Sequence, residues 1–169
     1  MRHLAANFVA LDFETADNGR DSACAIGLVR VSAGHIVKRV YHLIRPPRPR
    51  VWFSHIHGLS WQDVKDQPTF AQLWPQLAAE FMDIEFIAAH NASFDRGVLN
   101  ACCLAAGVQA PILPYTCTVQ LARQVWNIRP TKLSDVCQFL QIPLQHHHAA
   151  SDAEACARIV IAAQQSYAS

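Results

Sequence analysis

Asp12-Phe13-Glu14 places two carboxylates two positions apart at the end of the apolar run Phe8-Val9-Ala10-Leu11. Side chains two apart in a strand point to the same face. Asp12 and Glu14 therefore project together, while Phe13 points to the other side. Two carboxylates on one face repel each other unless a cation sits between them, and hard cations such as Mg²⁺ take oxygen ligands of this kind. The pattern by itself is a weak signal, because Asp83-Ile84-Glu85 repeats it. That second copy reads as an exposed helix-to-strand junction. Only the first is delivered by an apolar run to the C-terminal end of a strand.

Two further sets carry similar chemistry. His90-Asn91-Ala92-Ser93-Phe94-Asp95 follows the short buried strand Phe86-Ile87-Ala88-Ala89 and opens a helix. Asn91 or Ser93 can cap that helix. Asp95 then lies in its first turn, where a negative charge suits the helix dipole. His90 and Asn91 could simply satisfy backbone groups. His146-His147-His148-Ala149-Ala150-Ser151-Asp152 comes before the last helix, and Asp152 at a helix start again has an ordinary dipole reading. Three consecutive histidines do not easily converge on one ion. A histidine beside metal-bound water is better suited to be a general base, since its unperturbed pKa of about 6.5 fits that work at neutral pH.

Read singly, each residue has a structural explanation. Read together, every acid falls at an element end, where a mixed α/β sheet places its site. Four carboxylates in one cleft without partner cations are destabilising. Two divalent ions, Mg²⁺ or Mn²⁺, resolve the conflict and define a chemistry. Paired metals about 3.5–4 Å apart activate a water and stabilise the leaving oxygen in phosphodiester cleavage.

The elements that position these residues are legible from periodicity. Residues 8–13, 23–31 and 35–44 read as strands, with a hairpin turn at Ser32-Ala33-Gly34. Phe70, Leu73, Trp74, Leu77 and Phe81 have helical spacing and predict a helix over Thr69–Met82. Helices are also expected over Ser93–Ala106, 118–126 and 132–140. The last helix is expected to begin at a capping box of Ser151 and Glu154. The result is an α/β chain: a mixed sheet, antiparallel in its first part and extended by a parallel crossover, flanked by helices.

The chain has 169 residues, which fits one domain over residues 1–169, and 51% are hydrophobic against 16% charged, enough for a sizeable core. A net charge of +1 advertises no large basic surface, so a polyanionic substrate would be held by local positive charge such as bound metal. The densest positive cluster, Arg45-Pro46-Pro47-Arg48-Pro49-Arg50, must be a loop, either simply solvated or touching phosphate. None of the six cysteines forms a C-x-x-C pair, which argues against a zinc ribbon or a thioredoxin-type motif. They read as reduced, structural thiols that suit a cytoplasm. The stretch Met1–Asn7 offers no leader h-region, and no segment approaches transmembrane length.

The order and spacing of the three motifs resemble the DEDDh 3′–5′ exonucleases, a DnaQ-like family with epsilon-type polymerase III members. The resemblance rests on Asp12-Phe13-Glu14-Thr15, on His90-Asn91-Ala92-Ser93-Phe94-Asp95, and on His147 five residues before Asp152, followed by Ala153-Glu154-Ala155. It runs from about Phe8 to Ala163. It implies a ribonuclease H-like fold with a five-stranded sheet, two divalent cations, and release of nucleoside monophosphates from a 3′ end. Asp12 would bridge both cations, Glu14 and Asp152 would complete the tighter site, and Asp95 would support the second ion through water. His147 would deprotonate the nucleophile. The Phe13-Glu14-Thr15 backbone would meet the terminal nucleotide. The segment His55-Ile56-His57-Gly58-Leu59 would pack on terminal bases, with Ile56 or Leu59 as wedge and Phe94 nearby, while His57 and Asn91 would join the substrate contacts. The same resemblance leans toward a single-stranded DNA end over RNA. Two other readings stand beside it: an RNA-trimming enzyme, and a non-catalytic nucleic-acid or polymerase-binding module that kept the fold. A polymerase partner and a homodimer are not readable from the sequence.

Overall fold

The computed structural model describes residues 6–168. Met1–Ala5, the greater part of the stretch inspected for a leader, lie outside the described residues. Three strands come first: β1 (Phe8–Thr15), β2 (Ala23–Ser32) and β3 (His35–Leu43). Two single-turn helices, α1 (Ser54–His57) and α2 (Trp61–Val64), precede α3 (Phe70–Glu80). Then come β4 (Phe86–Ala89), α4 (Ala92–Ala105), β5 (Tyr115–Cys117), α5 (Thr118–Trp126), α6 (Leu133–Leu140) and α7 (Ala149–Ala168).

The strands form one sheet in the order β3-β2-β1-β4-β5. β1–β2 and β2–β3 are antiparallel, and β1–β4 and β4–β5 are parallel. This is the mixed, helix-flanked sheet that the pattern predicts. The two-residue alternation of β1 distributes the chain between two cores. Val9, Leu11 and Phe13 pack with Leu73 and Leu77 of α3 and Val98 and Leu99 of α4. Phe8 and Ala10 pack with Cys156, Ile159 and Val160 of α7. Burying side chains such as Leu11 and Ile159 stabilises by about 1.5–3 kcal/mol each, which anchors the two elements that carry acids. Continuing the same phase, Asp12 and Glu14 fall on the α7 side where the strand runs out.

Two helix starts differ from expectation. α7 begins at Ala149, not at Ser151. The Asp152 N–H donates to the His148 carbonyl at 2.9 Å, so the helical ladder is already running there. The Ser151 hydroxyl instead accepts the Gln145 N–H at 2.8 Å, stitching the histidine loop to the helix. Glu154 turns outward to Arg39 and Arg158. No Ser151–Glu154 capping box exists, because Ala149 is buried against β2 and the helix continues back to it. At α4, Asn91 occupies the cap position in a left-handed conformation (φ 64°) without a side-chain cap bond, and Ser93 lies inside the helix. Asparagine tolerates that conformation, so Asn91 serves the sharp strand-to-helix turn rather than capping it. β5, α1 and α2 are too short for periodicity to reveal.

All six cysteines are free, and five are buried. Among the described residues, no helix is long and apolar enough to cross a membrane.

Candidate active site

β1, α4 and α7 converge at the C-terminal end of the parallel strands. Asp12, Glu14 and Asp152 each offer a carboxylate oxygen within 4.8 Å of the others. Asp95 joins from α4, where its Oδ1 accepts the Phe13 backbone N–H at 3.0 Å. That bond ties the start of α4 to β1 midway between Asp12 and Glu14. The copy at Asp83 and Glu85 is exposed, as the sequence suggests.

Close approach of α7 depends on Gly27. This residue pairs with Asp12 across β1 and β2. A Cβ there would lie 2.2 Å from the Ala149 carbonyl oxygen, a backbone atom that cannot swing aside. Gly27 therefore lets the first turn of α7, with Asp152, descend onto the sheet next to Asp12. A lone glycine inside a buried strand is a sequence signal for such an approach.

The four acids lack counter-charge. Burial pushes Asp12 well above the ordinary carboxylate range, and the charges of Asp95, Glu14 and Asp152 add to the rise. Burial, then Asp152 and Asp95, push Glu14 up to about 8. Burial takes Asp95 to about 7 despite the hydrogen bonds it accepts, and Asp152 to about 6 against the nearby His147 amide. Among the described residues, none of the ion pairs involves these four. Asp12 Oδ2 and Asp152 Oδ1 are buried with no hydrogen-bond partner. Leaving such an acceptor unmatched costs about 1–3 kcal/mol, more when it is charged. Converging hard oxygens of this kind fit a divalent cation.

His146 and His147 form a second group with Asp152, again within 4.8 Å. Their rings stack at 3.7 Å, and His147 is held at φ 62°, a conformation that costs energy for a non-glycine residue. His148 leaves the cluster and stacks on Tyr41 at 4.9 Å. His90 is satisfied by Thr118 Oγ1 at 2.8 Å and the Thr131 carbonyl at 3.0 Å.

Beside the acids lies a cavity of about 250 Å³ lined by Phe13, Glu14, Thr15, Phe53, Ile56, His57 and Phe94. Phe13, Thr15, Ile56, His57 and Phe94, five of the residues that the resemblance assigns to substrate contact, all line it. Leu59 is not among them. It packs beside Ala16, Cys24 and Val64, and its N–H donates to His57 Nδ1 at 3.1 Å. Asn91 is exposed at the α4 start and does not line the cavity. His57 donates from Nε2 to the Thr15 carbonyl at 3.0 Å, so both ring nitrogens are engaged by backbone. Burial lowers its pKa and favours this neutral form. Phe53 is a wall of the cavity that the sequence pattern did not flag.

Within the basic loop Arg45 and Arg50 are exposed, while Arg48 is neutralised. Arg48 reaches Asp17 at 2.7 Å and Asp21 at 2.6 Å.

Residues 9–160 match the RNase T-type family described as "Exonuclease". The chain belongs to this exonuclease family. It is similar to the PolC-type DNA polymerase III of Thermotoga maritima, with 31% identity over 160 residues, 92% of this chain and 12% of the relative. The PolC-type polymerase of Bacillus cereus is 28% identical over 159 residues, 91% of this chain and 11% of the relative. The chain thus spans only 11–12% of the length of these relatives. Among solved structures, exonuclease X in complex with 5′-overhanging duplex DNA superposes with a TM-score of 0.71 at 24% identity, covering 96% of this chain and 92% of that one. The nuclease domain of 3′hExo, a DEDDh family member bound to rAMP, gives 0.79 at 16% identity, covering 95% and 92%. These likenesses establish the ribonuclease H-like fold.

Proposed function

We propose that this exonuclease removes nucleoside monophosphates from single-stranded 3′ ends of DNA, using two divalent cations, Mg²⁺ or Mn²⁺, held by Asp12, Glu14, Asp95 and Asp152. The observation that carries the reading is the pair of buried, unpartnered oxygens, Asp12 Oδ2 and Asp152 Oδ1, beside an apolar-walled cavity. When bound, such cations supply an activated water and charge stabilisation for the leaving oxygen.

The chain's own residues divide the remaining work. Asp12 and Glu14 on β1 and Asp152 on α7 would together hold a cation through their converging carboxylate oxygens. Asp95 holds the Phe13 amide and thereby sets β1. His147 takes the proton from the attacking water, a task for which its ring, next to Asp152, is within reach. The Phe13 and Thr15 backbone meets the terminal nucleotide. Ile56 and Phe94, 44% and 39% exposed, flank its base. Their exposure has no purpose in the core, and apolar side chains left open at a cavity mouth are suited to stacking.

The likeness to PolC-type DNA polymerase III supports DNA over RNA and a role beside DNA synthesis, as proofreading, repair or trimming. The free, mostly buried thiols suit a reducing cytoplasm. A nuclease assay on matched DNA and RNA strands labelled at the 5′ end tests the whole reading. The expected result is a ladder shortening from the 3′ end, faster on DNA, and absent in EDTA. Undiminished cleavage in EDTA, or binding without turnover in Mn²⁺, contradicts it; a strong preference for RNA overturns the substrate.

A further inference from the structure

Trp52 is 48% exposed, unusual for so large an apolar ring. The Arg50 guanidinium lies over it, 4.2 Å from the ring centroid. The backbone ties this pair to residues adjoining the site cavity, although neither side chain lines it. The Trp52 N–H donates to the Ala16 carbonyl at 2.7 Å. Ala16 follows Thr15 and Trp52 precedes Phe53, and both Thr15 and Phe53 line the cavity.

The segment is also stiff. Arg48 is clamped by Asp17 and Asp21 through four hydrogen bonds. Pro46, Pro47 and Pro49 fix the backbone around it. A ligand meeting such a loop has little ordering to impose. Charge is distributed unequally within it. Arg48 is matched by two carboxylates, whereas Arg50 has one ion pair, to Asp17 at 3.4 Å, and remains 46% exposed.

We infer that Arg50 and Trp52 form a platform for the substrate strand upstream of its terminal nucleotide. This rests on the exonuclease reading above. A single strand offers bases with π-faces and phosphates with negative charge, and an indole carrying a guanidinium complements both. Stacking on an aromatic ring is tolerant of sequence, which suits an enzyme that must accept each base in turn.

Steady-state kinetics with Mn²⁺ on two substrates test the platform. The p-nitrophenyl ester of thymidine 5′-monophosphate reaches only the acids and the cavity. A DNA strand of about 15 nucleotides also reaches Arg50 and Trp52. Trp52→Ala is expected to lower kcat/KM on the strand roughly 10-fold, mainly through KM, with the ester rate unchanged. Arg50→Ala should act in the same direction, and Trp52→Phe should restore most of the loss. Equal strand kinetics in wild type and Trp52→Ala overturns the inference, as does an equal loss on both substrates. Failure of the wild-type chain to hydrolyse either substrate overturns the exonuclease reading along with it.

Discussion

Asp12 and Glu14 and, a few residues later, Asp17 and Asp21 are neighbouring acid pairs with opposite electrostatics. Asp17 is held down to about 2 and Asp21 is also lowered, in each case first by hydrogen bonds from Arg48. Asp12, Glu14, Asp95 and Asp152 are all raised. Solvent exposure alone does not separate the two sets, because Asp17 is 3% exposed, Asp95 2% and Asp152 5%. Desolvation is the first cause that raises the site acids, and the arginine hydrogen bonds that outweigh it at Asp17 and Asp21 are missing beside them. The contrast recurs within α7, where Glu154, two residues beyond Asp152, is lowered to about 2 by Arg39 and Arg158. The fold supplies arginine to acids that hold structure and withholds it from acids gathered at the strand end. An uncompensated cluster is costly to keep, which is the physical argument for the proposed cation site.

The contrast breaks most sharply at Asp12. Asp12→Asn should cost roughly 1000-fold or more in kcat, because losing the cation site removes several kcal/mol of transition-state stabilisation. The same change should raise the Tm of the metal-free chain, since it deletes a buried charge from a repelling set. Near-wild-type turnover, or a lower metal-free Tm, would show that Asp12 is an ordinary structural acid. A smaller effect is expected at the compensated pair. Arg48→Ala leaves the buried Asp17 without its main donor and should lower urea stability by about 1–3 kcal/mol, with or without divalent cation. Unchanged stability would mean that the arginine is not what distinguishes the two clusters.

Much of this arrangement was legible in the sequence, for identifiable reasons. β1 is an apolar run, and its two-residue period fixes Asp12 and Glu14 on one face. Asp95 and Asp152 announce themselves as helix-start acids. The motif order supplied what single residues did not, namely the choice of His147. Geometry removes His148 but keeps His146 beside His147, so the spacing to Asp152 remains the distinguishing mark. What was not legible depends on contacts distant in sequence. The start of α7 is set by packing of Ala149 on Gly27, which overrides the better capping residue at Ser151. β5 has only three residues and exists because β4 pairs with it. Arg48 finds Asp17 and Asp21 across 31 and 27 residues, so the basic loop looked freer than it is. Leu59 shares a short segment with Ile56 and His57 of the cavity but packs into a small core with Ala16, Cys24 and Val64.

The most direct measurement is thermal stability of the metal-free chain between about pH 7 and 8.5, with and without Mg²⁺. Glu14 near 8 and Asp95 near 7 lie above their unfolded values, as Asp12 does. The folded chain therefore binds more protons than the unfolded one in this window, so stability must fall as pH rises. Asp17 and Glu154 are ionised throughout. The lowered His57, His90 and His146 oppose the trend only near pH 7, where the unfolded rings still hold some protons, and the lowered Cys117 opposes it only at the upper end. Raised thiols such as Cys24 and Cys103 add to the decline at that end, so the recovery in Mg²⁺ is what assigns it to the acids. The expected result is a Tm that declines with pH in EDTA, recovers in Mg²⁺, and recovers more at the upper end. A metal-free Tm that stays flat or rises across the window, or that Mg²⁺ leaves unmoved, would contradict the claim that these acids await cations.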